Sequence, residues 1–476
     1  MNTKKLNLNT MKNKLLLLSF FIMGILNAQT CWKQLSGGGD FTIGIASNNT
    51  LWGTGLNSSG QLGNGTTTQL FVFTQVSNQP VWSKIATGAI HSLAIKNDGT
   101  LWAWGNSSFG RLGLGDLSGV VISPTQIGTD NNWVQVEAGE SSSFAIKSDG
   151  TLWAWGFNEN GQLGDGTFVN KNIPTQVGSA TDWAQVKSGA LHTIALKTNG
   201  NLWAWGLDNS GQLGVGTGNN SSSFPVQATG TNYITIACGA DYSMAIKIDG
   251  TLWGWGSNTY RNLGIGNVPG SQQLPLQVGS ETNWIKVVTG DYHTLALKND
   301  NTLWAMGRNH RGQLGNNSLT IANVPTQINV GTFYTNIFSD NNNDTNGLAG
   351  FSMVIKTDGN LQVCGSNNRG QLGTGFQSNN YQIPQNISCP ITLSSDEFIV
   401  DSKITVYPNP SSGIFNIQSE INSNLFSEVF DMIGKKVAQF DNQTSIDISN
   451  LNSGVYLLKI IDKNTKLVAT KKIVKQ

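Results

Sequence analysis

The chain repeats itself. Leu-Trp-(Ala/Gly)-(Trp/Met)-Gly occurs at Leu101–Gly105, Leu152–Gly156, Leu202–Gly206, Leu252–Gly256 and Leu303–Gly307, with degenerate copies at Leu51–Gly55 and Leu361–Gly365. The tryptophan after leucine stands at 52, 102, 153, 203, 253 and 304, a step of 50 or 51 residues. A period of that length marks one supersecondary unit copied seven times. A single copy cannot bury its own apolar face, so the copies must stack or close on one another.

Within one copy, Trp133–Gly139 alternates apolar and polar residues, as a half-buried strand does. Ser143–Lys147 reads as a second strand, Thr151–Gly156 as a third and Pro174–Val177 as a short outer one. Asp149-Gly150 turns the chain between the second and third. The equivalent pairs are Asn48-Asn49, Asp98-Gly99, Asn199-Gly200, Asp249-Gly250, Asp300-Asn301 and Asp358-Gly359. A two-residue type I′ turn suits such pairs, because both central positions need positive φ. Their carboxylates are therefore read as turn chemistry rather than as catalytic or metal-binding groups. Gly88, Gly139, Gly189, Gly239 and Gly290 end the first strand, where a missing Cβ lets backbones crowd toward an axis. Four short antiparallel strands per copy, seven times over, describe an all-β chain folded as a seven-bladed β-propeller. The low charged fraction of 12% and the 56 glycines fit a loop-rich β protein.

The full pattern is W-x-x-(V/I)-x-x-G-x-x-x-(S/T)-x-A-(I/L)-K-x-(D/N)-(G/N)-x-L-W-x-x-G, followed by G-Q-L-G. It resembles the repeats of the regulator of chromosome condensation family. Gly-Gln-Leu-Gly stands at 60–63, 161–164, 211–214, 312–315 and 370–373, with Gly110-Arg111-Leu112-Gly113 in copy two and Arg261-Asn262-Leu263-Gly264 in copy five. The resemblance covers roughly residues 32–390 and implies a closed seven-bladed ring. The motif has no Lys-Ser/Thr and no following helix, so it reads as loop geometry rather than a phosphate cradle.

The ends of the chain differ from the middle. Lys4, Lys5, Lys12 and Lys14 precede an apolar run from Leu15 to Leu26 and then Asn27-Ala28-Gln29, the layout of a secretory signal. The expected divisions are a signal peptide over 1–28, the propeller over 29–392, a linker over 393–402 and a separate domain over 403–476. That last segment lacks tryptophan and alternates strand-like runs with Gly, Asn and Asp turns, which suggests a small C-terminal β-sandwich. Tyr407-Pro408-Asn409-Pro410-Ser411-Ser412-Gly413, Asp431-Met432-Ile433-Gly434-Lys435, Gly454-Val455-Tyr456 and the closing Lys471-Lys472-Ile473-Val474-Lys475 resemble the sorting domain of type IX secretion cargo from Bacteroidetes-type bacteria. The resemblance implies export to the outside of the cell or its surface, contact with the type IX machinery and removal of the tail. No further segment is long and apolar enough to suggest a membrane span. A net charge of +1 argues against a nucleic-acid partner.

Candidate sites are few. All fifteen tryptophans fall in the repeat and are read as blade packing, with Trp153→Ala costing roughly 3–5 kcal/mol. His91, His192 and His293 share one repeat position on alternate copies, too far apart to converge on a zinc ion, and are expected to be half-buried hydrogen-bonding side chains. Copy seven carries an insertion, Asp340–Gly347, with part of a calcium loop's spacing. Its glycine is misplaced and Phe351 stands where the closing glutamate belongs, so a solvated loop is the favoured reading. No catalytic, cofactor-binding or metal-binding residues are assigned. An exported protein meets an oxidising compartment. If the N-terminal strand joined the last blade to close the ring, Cys31 and Cys389 would be neighbours, and a disulfide there would contribute about 4–5 kcal/mol. Cys238 and Cys364 read as buried and unpaired.

The expected function is that of a secreted or cell-surface propeller, a monomer and not an enzyme, which recognises an extracellular protein or glycan through its rim loops. The candidate contacts are Asn106, Phe109, Arg111, Asn158, Glu159, Tyr260, Arg261, Arg308, His310, Arg311, Asp340 and Asp344. An enzyme inhibitor, a glycan-binding propeller and a polysaccharide-active enzyme of unrecognised type are the alternatives.

Overall fold

The computed structural model describes residues 31–388 and 404–476, apart from 78, 80, 116–118, 217–220, 269, 341–349, 420–424, 432–434 and 463–467. The signal segment, the 393–402 linker, Cys389 and Asp344 lie outside the described residues. The chain divides into two compact units, Met1–Cys389 and Pro390–Gln476.

The first unit holds seven four-stranded antiparallel sheets, each in simple chain order. Blade 3 is typical: Trp133–Ala138 is the inner strand, Ser142–Lys147 the second, Leu152–Gly156 the third and Lys171–Gln176 the outer one. The other inner strands are Trp32–Gly37, Trp82–Thr87, Trp183–Ser188, Tyr233–Cys238, Trp284–Thr289 and Tyr334–Ser339. Second strands are buried along nearly their whole length (Phe41–Ala46, His91–Lys96), while outer strands are half exposed. Each apolar cluster spans two blades. One, for example, joins Phe144, Leu152 and Leu163 of blade 3 to Trp183, Val186 and Trp205 of blade 4.

The ring closes without a shared strand. Blade 1 and blade 7 are each built from four consecutive strands, so no N-terminal strand completes the last blade. Closure uses the same contact as the other seams. The Ser/Thr of the repeat pattern donates its hydroxyl to a carbonyl in the preceding blade's Gly-Gln-Leu-Gly loop. The pairs are Ser92 to Gln61 (2.8 Å), Ser143 to Arg111 (2.7 Å), Thr193 to Gln162 (2.9 Å), Ser243 to Gln212 (2.9 Å), Thr294 to Asn262 (2.8 Å) and Ser352 to Gln313 (2.7 Å). Thr42 to Gln371 (2.8 Å) repeats the bond between blades 1 and 7 and shuts the wheel. Trp32, Leu35 and Trp52 share one core with Phe351, Met353 and Leu372 across this seam.

Gly-Gln-Leu-Gly is thus a fastening as well as a loop. Indoles of the next blade donate to the same carbonyls: Trp104 to Gln61 (2.9 Å), Trp155 to Arg111 (3.0 Å), Trp205 to Gln162 (2.8 Å) and Trp255 to Gln212 (2.9 Å). The second glycine of the motif makes room. A Cβ at Gly63 or Gly164 would meet the adjoining indole at 2.6 Å, and both residues have positive φ.

The turns between second and third strands are not as expected. At Asn97-Asp98-Gly99, Gly99 N–H donates to Lys96 O (3.0 Å) and Lys96 N–H to Thr100 O (3.0 Å). Only Gly99 has positive φ. This is a three-residue loop, a type I turn closed by a left-handed residue, rather than a two-residue type I′ turn. The longer loop leaves the aspartate free to bond forward. Asp98 Oδ1 accepts from the Thr100 backbone (3.0 Å) and hydroxyl (2.6 Å), and Trp102 Nε1 donates to that hydroxyl (2.8 Å). Blades 1, 3, 5 and 6 repeat the relay from Asn48, Asp149, Asp249 and Asp300. Blade 4 has Asn201 where the threonine belongs, and the Trp203 indole N–H is buried without a partner.

Ten tryptophans are buried; Trp102, Trp153, Trp203, Trp253 and Trp304 are half-buried. The latter are capped by the lysine ending the second strand, with Lys96 3.5 Å from the Trp102 ring centroid and Lys147 4.1 Å from that of Trp153. Trp155, fully buried, is therefore the costlier indole to remove, not Trp153.

The second unit packs a three-stranded sheet (Ile404–Tyr407, Ile414–Ser419, Ser445–Asp447) on a four-stranded one (Leu425–Phe430, Lys436–Asp441, Gly454–Asp462, Val468–Lys475). Phe415, Ile417, Val429, Leu458 and Ile460 form their shared core.

Candidate functional site

Antiparallel connectivity sorts the loops. In every blade the turn from inner to second strand and the loop from third to outer strand leave by the same face. The Asp-Thr turns leave by the other. Among the described residues, the candidate contact loops therefore lie on one face, together with the inner turns.

Several candidate residues build that face rather than present it. Asn158 is wholly buried: its Oδ1 accepts from Leu163 N–H (2.9 Å), and its Nδ2 donates to Asp165 Oδ1 and to the carbonyls of Thr167 and Val169, each at 3.1 Å. Asn57 and Asn309 do the same in blades 1 and 6. Arg111 is 3% exposed; its Nε donates to Ser108 O (2.9 Å), and burial pushes its guanidinium down to about 10. Asp340 is buried, 3.9 Å from His293, and burial beside Asp291 holds its carboxyl well above the usual range. Asn106 Oδ1 is occupied by Ser108 N–H (2.9 Å). None of Arg111, Asn158 and Asp340 offers a side chain to a partner. The remaining residues do reach the surface. Phe109 is 43% exposed, Glu159 and His310 are exposed, and Tyr260, Arg261, Arg308 and Arg311 are half-buried.

Two aromatic–arginine clusters sit at blade junctions on this face. Phe109 and Phe157 meet at 5.0 Å between ring centroids, at the junction of blades 2 and 3. At blades 5 and 6, Tyr260 packs on Tyr292 (4.8 Å) and on His310 (6.2 Å). Arg308 lies over both tyrosines, at 5.1 and 5.9 Å, and its Nε donates to His310 Nδ1 (3.1 Å). Tyr292 and Phe157 were missing from the sequence-based set. Tyr292 lies in the inner turn between Gly290 and His293, and its placement beside Tyr260 depends on two loops 32 residues apart meeting at a seam. Burial, with Asp241 and Asp291 nearby, pushes the Tyr292 hydroxyl up to about 12. The same junction carries backbone strain. Arg261 has φ 62° at the position held by glycine in the other copies, fixed by a bond from its guanidinium to Val268 O (3.0 Å).

The repeat histidines are fully buried rather than half-buried. His91, His192 and His293 bond through Nε2 to Ser143 (2.9 Å), Ser243 (3.0 Å) and Ser352 (2.9 Å) of the next blade. Each serine already gives its proton to a seam carbonyl, so the imidazole must donate through Nε2, and the Nδ1 of His91 is left without a hydrogen bond. The inner-strand glycines serve this ring: a Cβ at Gly88, Gly189 or Gly290 would strike the histidine three residues on. Among the described residues no group of three or more His, Cys, Asp or Glu is placed to hold a metal. Cys31 is disulfide-bonded, while Cys238 and Cys364 are buried free thiols.

Residues 119–402 match the RCC1-like domain model, residues 32–61 and 82–111 the regulator of chromosome condensation (RCC1) repeat, and residues 405–476 the secretion system C-terminal sorting domain. Prp20p from Saccharomyces cerevisiae superposes with a TM-score of 0.62 at 20% identity, covering 80% of this chain and 90% of that one. Human WBSCR16 gives 0.58 at 23% identity, over 64% and 83%. An endo-acting ulvan lyase of Formosa agariphila is 34% identical over 89 residues, so the chain spans only 17% of that enzyme's length. No described helix is long and apolar enough to cross a membrane. The closed wheel of seven repeats and the matched tail make this chain a member of the RCC1-like propeller family that is exported by the type IX route, to the outer cell surface or beyond it.

Proposed function

We propose that the protein is a non-enzymatic recognition module that binds an extracellular partner protein through its loop face, centred on the junction of blades 5 and 6. The observation that carries this reading is the Tyr260–Tyr292–Arg308–His310 cluster. Tyrosine and arginine dominate the energetics of protein interfaces, because they bury large area with few rotors and a polar tip. The strained Arg261 adds to it, since strain kept where neighbouring copies use glycine has a use other than stability. The His–Ser pairs do not supply a nucleophile: both members are sealed, and the serine proton is committed to a carbonyl. The match to the ulvan lyase supports no lyase activity, given how little of that enzyme it spans.

Partner capture by the tail-free protein, followed by affinity measurement with the identified partner, tests the reading. Tyr260→Ala with Arg308→Ala should weaken binding by about 2 kcal/mol or more, roughly 30-fold. Full retention of binding by that variant contradicts it, as does turnover of a polysaccharide.

The protein acts as a monomer on this reading, with the propeller spanning 29–392, a linker over 393–402 and the sorting domain over 403–476. Of its four cysteines two are free and Cys31 is bonded, so Cys389 is the proposed mate of Cys31. Peptide mapping without reductant should recover the linked pair.

A further inference from the structure

The inner strands of all seven blades enclose a cavity of about 490 Å³ on the propeller axis. Its charged lining residues are Lys84, Lys187, Lys286 and Glu137, three cations against one carboxylate. Lys187 is satisfied by Glu137 Oε2 at 2.7 Å. Lys286 is not neutralised in this way. Its ammonium donates to the neutral Asn336 amide and sits 5.1 Å from the Phe338 ring, and among the described residues no carboxylate pairs with it. Burial, and then Lys187, push its ammonium down to about 8. The site is thus half-desolvated and cationic, and two of its glutamine amides are already engaged. Gln34 and Gln185 give their amide N–H groups to Ile85 O (2.8 Å) and Ile234 O (2.9 Å) of neighbouring blades. The hydroxyls of Thr235 and Thr289 complete a polar wall, and Lys84 is exposed, so the cavity opens to solvent.

We propose that this axial cavity binds a small organic anion, a carboxylate on a hydroxylated molecule of about monosaccharide size, held by Lys286 with Lys187 beside it. An anion there supplies the counter-charge that the fold does not, and a charge-assisted bond in a partly dry site is strong. The volume falls in the range of small-molecule pockets and is far larger than a bare oxyanion needs.

Isothermal titration of the intact protein with glucuronate, glucose and sulfate tests the assignment. Glucuronate should bind saturably at one site, sulfate more weakly and glucose not at all. Lys286→Met should weaken glucuronate at least about tenfold, and Lys286→Gln is the fallback should the methionine variant misfold. Lys33→Met, at a lysine that bonds Asn49 instead, should leave binding unchanged. Affinity should also fall as pH rises through about 8, where Lys286 loses its proton. The other titratable groups on the cavity wall are Lys84, Lys187, Glu137 and Cys238, and burial pushes the Cys238 thiol up. No saturable glucuronate binding, equal binding of glucose or sulfate, or full affinity in both Lys286 variants would overturn the proposal.

Discussion

The seams between blades and the loop cluster at blades 5 and 6 use similar residues to opposite ends. At the seams the same serine or threonine bond crosses a blade boundary seven times. At the cluster, Tyr260, Tyr292, Arg308 and His310 come together once, half-exposed, with a strained backbone residue beside them. What the repeat keeps holds the wheel together; what departs from it makes up the proposed recognition surface. In a repeat array each unit contacts only its neighbours, so each seam must supply its own stability.

The largest effects should come from the seams. Trp155→Ala removes a wholly buried indole and its bond to Arg111 O, and should cost about 3–5 kcal/mol in urea unfolding. Trp153→Ala should cost clearly less, since that ring is half-buried. Equal costs would break the distinction between seam and turn indoles.

Acid should open the seams next. Burial holds His192 and His293 down to about 3 and His91 well below its ordinary value near 6.5. Between those values the unfolded chain binds more protons than the folded one, so stability is complete above about pH 6.5 and falls as pH drops toward 3. Each histidine should contribute about 1.4 kcal/mol per pH unit to that fall. His192→Gln keeps a donor for Ser243 and does not titrate, so it should remove one histidine's share of the slope. An unchanged slope would show that the imidazoles do not govern it.

A smaller gain is expected in blade 4. Asn201→Thr supplies the missing acceptor for the Trp203 indole and should stabilise the protein by about 1 kcal/mol. No gain in the unfolding midpoint would mean that the relay in blades 1, 2, 3, 5 and 6 carries little weight.

How legible this was depends on distance along the chain. Strand alternation, blade number and the tail are local patterns and could be read directly. The seam could not, because its donors and acceptors lie 31 or more residues apart and the acceptor is a backbone carbonyl, which has no side-chain signature. The Ser/Thr position stood in the repeat pattern without its partner. The turn was misread for a related reason: Asp98-Gly99 suits a two-residue turn, but Thr100 draws the aspartate forward and the loop takes three residues. Arg111 and Asn158 looked like surface residues because they are polar and lie in loops. Their hydrogen bonds turn them inward. Tyr260, Arg308 and His310 are all named as contacts from the sequence, but their meeting, and Tyr292 with them, depends on three separate loops.

The most direct test is the urea unfolding midpoint of Tyr260→Ala with Arg308→Ala, measured beside Trp155→Ala. If the cluster is there for recognition, the pair should shift stability by no more than about 1 kcal/mol while the single seam substitution costs several times that. A loss from the pair as large as that from Trp155→Ala would make the cluster another structural fastening and contradict the division between seam and recognition face.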